Sequence, residues 1–134
     1  MLTLLLWLSV AAATAPANVR VTHSRLVVTC VDGQRVDGKT KQWHPSRPMS
    51  LTFTMRNEPR PGIAHAEAGL AVISFSPEVN HRYEIEVRAD GAAYSTRVWK
   101  RGEWAPVVRD RTTDAIVSSA PRWIERGCSS GHPR

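Results

Sequence analysis

Past its first residues this chain has no long run of apolar side chains at the 3.6-residue helical period. That absence argues against a helical domain and leaves at most one helical turn, near Arg111 to Ala115. No Gly-x-Ser-x-Gly elbow, phosphate-cradling glycine loop or His-Glu-x-x-His pair occurs, so the familiar hydrolase, nucleotide-binding and zinc-protease chemistries have no motif to rest on. The histidines His23, His44, His65, His81 and His132 stand singly. None has a second His, Cys or carboxylate at the short spacing that lets one element present two metal ligands, and neither a metal nor any other cofactor is expected. No run of five like charges is present, and no nucleic-acid partner is expected.

Long apolar runs are also lacking. The one at the beginning, Met1 to Ala13 with Leu4-Leu5-Leu6-Trp7-Leu8 inside it, falls short of the ~20 apolar residues a bilayer-spanning helix needs. Its length and the small residues after it match a secretory signal peptide, although no Lys or Arg precedes it. Two cuts satisfy the small-x-small rule, after Ala13 and after Ala17, and the second is preferred, with Asn18 as the mature start. No cysteine stands in that region to take a lipid. The expected organisation is a signal peptide over 1–17, one β domain over 18–128 and a flexible tail over 129–134, in a periplasmic or secreted monomer.

Cysteine is scarce, with only Cys30 and Cys128. An even count in an exported chain favours a disulfide over a metal site or a reactive thiol. Closing a loop of about 100 residues contributes up to ~4–5 kcal/mol on the chain-entropy view. The 18 basic and 12 acidic residues, for a net charge of +6, all fall after residue 17. Such a domain is attracted over long range to lipid headgroups, wall polymers and acidic proteins without any specific site.

What is present is strand periodicity. Met49 to Met55 alternates apolar and small polar residues without a fault, and Arg82 to Arg88 places Tyr83, Ile85 and Val87 on one face against charged residues on the other. A glycine turn at Ala89 to Ala93 and a returning strand Tyr94 to Lys100 are expected next. Glu103 to Arg109 is expected to pair after that, and Pro106 marks it as an edge strand or a bulge. Arg25 to Cys30 and Leu70 to Phe75 read as covered strands, Ala115 to Ser118 and Arg122 to Ile124 as weaker ones, and 38–48 and 56–68 as proline-stiffened loops. The fold class is all-β, a small antiparallel β-sandwich or barrel of about seven strands closed by one disulfide.

Two features invite a chemical reading. Glu84 and Glu86 share a strand face, but they alternate with buried residues and form its wet side. Trp99 and Trp104 are interleaved with Arg97, Lys100 and Arg101, a pattern that serves a sugar, a polyanion or a protein through stacking and cation–π contact. These five residues are the candidate binding surface, although strand parity leaves Trp99 either covering a second core or exposed, and packing against a neighbouring strand or loop is the more common fate of such tryptophans.

From Gly69 to Val108, the succession of an apolar strand, Phe75-Ser76-Pro77-Glu78, a Tyr83-centred strand, a glycine turn and a Val98-containing strand resembles small exported proteobacterial β-sandwich proteins, many of them lipoprotein-like. This resemblance implies an envelope location and no activity. Asp90-Gly91-Ala92-Ala93-Tyr94, Trp99-Lys100-Arg101-Gly102 and Thr29-Cys30-Val31-Asp32-Gly33 are similar to segments of periplasmic C-type lysozyme inhibitors, which implies inhibition of lysozyme. That second reading ranks lower, because animal lysozymes are basic and a +6 domain is repelled on encounter. The expectation is a non-catalytic binding or structural domain of the bacterial envelope, with an anionic polymer or a protein as partner.

Overall fold

The computed structural model describes residues 14–57, 68–89 and 99–128. Their strands are β1 (Asn18–Val21), β2 (Leu26–Val31), β3 (Gln34–Arg35), β4 (Gln42–Trp43), β5 (Met49–Met55), β6 (Leu70–Phe75), β7 (Arg82–Ala89), β8 (Trp104–Asp110), β9 (Ala115–Ile116) and β10 (Arg122–Ile124). They form two five-stranded sheets, β4-β1-β7-β8-β9 and β10-β6-β5-β2-β3. The expected β-sandwich is what forms, with no helix among the described residues. One pairing departs from the antiparallel rule, since β1 runs parallel to β7.

The faultless alternation of β5 does what the period of two demands. Met49, Leu51, Phe53 and Met55 all enter the core. They meet Ala71, Ile73 and Phe75 of β6 in the same sheet, and from the opposite sheet the core receives Val19, Tyr83, Ile85 and Val108. Phe75 and Tyr83 touch across the two sheets with ring centroids 5.3 Å apart.

The meander expected around Tyr94 to Lys100 is corrected. Strand β7 pairs directly with β8, from Tyr83 opposite Asp110 to Ala89 opposite Trp104, and its other side is taken by β1. β8 therefore takes the place beside β7 that the expected order gave to the returning strand, while on the other side β1 reaches only from Arg82 to Ile85. Residues 90–98 of that expected hairpin lie outside the described residues, and Trp99 and Lys100 are not in a strand. The edge strand or bulge expected at Pro106 is corrected: β8 lies between β7 and β9, but β9 is short and Pro106 lies past its end. The Val108 amide bonds to the Ser118 hydroxyl and its carbonyl accepts from Val117, so by strand parity the proline's missing donor faces the edge beyond β9, away from β7.

A β-bulge decides where the disulfide sits. Val28 lies opposite Phe53 while Cys30 lies opposite Thr52, which leaves one extra residue on β2. Side-chain parity reverses across it. Leu26 and Val28 share the inward row with Met55 and Phe53, and Cys30 joins the outward row of Thr52. There it bonds Cys128, Cα to Cα 5.7 Å. The segment that follows β10 thereby crosses the outside of its own sheet, with Gly127 lying against Leu70.

Candidate functional site

Trp99 organises one end of the sandwich. It is 4% exposed, and its backbone is clamped on both sides by one asparagine: the Trp99 amide donates to Asn57 Oδ1 at 2.7 Å, and Asn57 Nδ2 donates to the Trp99 carbonyl at 2.9 Å. The His23 imidazole meets the indole edge to face, with centroids 5.7 Å apart. His23 Nδ1 accepts from the Arg25 amide at 3.1 Å, which fixes the ring's tautomer and orientation.

Around this indole the fold gathers positive charge from separate stretches of chain. Arg25 Nη1 donates to the Arg56 carbonyl, whose residue returns a backbone bond to the Arg25 carbonyl. Lys41 Nζ donates to the Leu26 carbonyl, and the Lys41 carbonyl accepts from the Val21 amide. Lys100 follows Trp99 and is exposed, as are Lys41 and Arg56. Among the described residues no carboxylate lies within ion-pair distance of Lys41, Arg56 or Lys100. Burial, and then the nearby charges of Arg25 and Lys41, hold the His23 imidazole below the ordinary histidine value. The result is a group of exposed cations beside a buried indole, with no acid–base or nucleophile pair among the described residues there.

Of the five expected binding residues, the structure brings only part together. Trp104 is buried at 2% exposure, its Nε1 donating to the Ala68 carbonyl at 2.9 Å and its ring packed edge to face on Trp123 at 5.0 Å. Trp99 and Trp104 are therefore core residues and offer no open stacking face. The reason is their place: Trp104 starts a strand whose inward row continues with Pro106 and Val108, and Trp99 closes the adjoining end. Arg101 is turned away to Glu125, 2.6 Å from its Oε1. Lys100 remains exposed, and Arg97 lies outside the described residues. Sequence reasoning missed His23, Arg25, Lys41 and Arg56. Only the close spacing of His23 and Arg25 was a local sign of them.

A second polar cluster sits at the junction of β7 and β8. Asp110, 2% exposed, accepts from the backbone amide of Thr112 through Oδ1, and its Oδ2 lies 2.6 Å from His81 Nδ1. Burial works to raise the Asp110 carboxyl, but the His81 bond and the Thr112 amide outweigh it and hold it below the ordinary value. The Asp110 hydrogen bond in turn raises the His81 imidazole against a smaller opposing effect of burial. Glu78, three residues before His81, adds a third ligand atom within 4.8 Å of the other two. A cation there would have to displace the proton that His81 and Asp110 share, so the arrangement works as an ion pair that ties the start of β7 to the end of β8.

Comparisons with protein-family models, with curated proteins and with solved structures find no match to this chain.

Proposed function

We propose that this chain is a non-catalytic, exported binding domain of the bacterial envelope, and that its contact surface is the cationic rim of Lys41, Arg56 and Lys100 around His23 and Trp99. The partner is an anionic surface, a polymer or a layer of lipid headgroups. The observation that carries this reading is convergence: positive residues far apart in sequence meet at one end of the sandwich, and Asn57 and the Arg25–Arg56 backbone bonds hold them there. In the described part, acids elsewhere are spent on arginines, as in Glu86 with Arg109 and Glu84 with Arg111. The cysteine bridge between Cys30 and Cys128 is compatible with an oxidising compartment.

Binding to vesicles that contain phosphatidylglycerol tests the proposal. Each cation near such a surface contributes about 1 kcal/mol, so the triple variant K41Q/R56Q/K100Q is expected to bind roughly 100-fold more weakly at low salt. Affinity of the unaltered protein should fall steeply as salt rises. Equal binding by the two proteins, or binding insensitive to salt, would refute the assignment.

A further inference from the structure

The folded unit begins earlier than the sequence boundary at Asn18. Ala17 is 1% exposed and belongs to the hydrophobic core. Ala15 makes two backbone hydrogen bonds with Asn80: its amide donates to Asn80 Oδ1 at 2.6 Å, and its carbonyl accepts from the Asn80 amide at 2.8 Å. Asn80 is held in the left-handed region at φ 66°, a conformation that asparagine tolerates better than most residues, and the two bonds close the turn that leads into β7. Thr14, Ala15 and Pro16 are exposed, and burial begins at Ala17.

We propose that the export peptidase cuts between Ala13 and Thr14, leaving Thr14 to Ala17 as the first residues of the mature protein. This inference rests on the exported reading above. Water adds across the Ala13–Thr14 peptide bond, giving a carboxylate on the released peptide and an ammonium on Thr14. Ala11-Ala12-Ala13 meets the small-x-small requirement as well as Ala15-Pro16-Ala17 does, so the preference for the later cut expressed above does not rest on that rule. The packing does. A cut after Ala17 removes both bonds to Asn80 and uncovers core surface. It also turns the Asn18 amide, which donates to the His81 carbonyl at 3.1 Å, into a charged terminus directly before Val19, which is fully buried in the core. A cut after Ala13 puts the new charge in water.

The experiment is amino-terminal sequencing and intact-mass analysis of the full precursor expressed in a host that exports it, with the mature species taken from the periplasm. A terminus reading Thr-Ala-Pro-Ala supports the proposal. A terminus at Asn18 overturns it and leaves export standing, whereas an intact Met1 overturns both. The precursor variant Ala13→Tyr places a bulky residue before the scissile bond. It is expected to accumulate unprocessed or to yield a shorter product. Release of an unchanged mature mass from that variant would also overturn the proposal.

Discussion

Reducing the bond between Cys30 and Cys128 should bring the domain close to the edge of stability. The two residues are separated by 98 positions, and a cross-link closing a loop of about 100 residues removes denatured-state entropy worth about 4.7 kcal/mol. A domain of this size has about 5–15 kcal/mol of stability in all. The loss has a definite locus, because the bulge on β2 aims Cys30 away from the core. Its partner therefore anchors only the segment 125–128 laid over the sheet, and the inward rows of β2, β5 and β6 are not opened by breaking it. Urea unfolding of the oxidised protein and of the variant C30A/C128A measures the difference through the midpoint and slope. We expect a loss of about 3–5 kcal/mol with the β-sheet circular dichroism of the folded variant retained below its midpoint. A loss under about 1 kcal/mol would refute the entropic argument, and a variant lacking native sheet signal in the absence of denaturant would refute the placement of the bridge outside the core.

Gly69 and Gly33 both sit at positive φ, 83° and 79°, yet alanine should not be equal at the two. A Cβ on Gly69 would lie 2.8 Å from Arg101 Cβ, while one on Gly33 meets nothing within 4 Å. Gly33→Ala is therefore expected to cost about 1–2 kcal/mol from the left-handed backbone alone, and Gly69→Ala about 1–3 kcal/mol more from overpacking, both read from thermal unfolding; equal losses would contradict the packing at Trp123 and Arg101. The His81–Asp110 pair should imprint itself on stability against pH. His81 is raised above its ordinary 6.5, so its contribution is complete below that value and is lost as pH climbs through the folded-state value. Asp110 is lowered below its ordinary 3.8, so its contribution is present above that value and is lost as pH falls through the folded-state one. Melting temperature should thus be highest between about pH 4 and 6.5, and Asp110→Asn should lower it there and flatten the profile; an unchanged profile in the variant would dismiss the pair.

Much of the architecture was legible from residue order. The strict alternation of Met49 to Met55 and of Arg82 to Arg88 declared strands with one buried side, and two cysteines in a short chain of this composition declared a bridge. Other features could not be read that way. β1, β3 and β4 were missed because none carries an apolar run of the kind that marked Ala115 to Ser118 and Arg122 to Ile124.

By itself, then, the sequence determined which side chains share a face within a strand, because that depends only on the two-residue repeat of an extended backbone. Tertiary structure alone decided which strands became neighbours, including the direct pairing of β7 with β8 and the parallel seat of β1. It decided that one surplus residue before Cys30 would turn the bridge outward, and that Trp99 and Trp104 would be covered. It also decided that Arg25 and Lys41 would lie near His23, and that Asn57 would clamp the backbone of Trp99. These outcomes depend on contacts between residues far apart along the chain, settled by which faces can be buried together, and no local pattern encodes them.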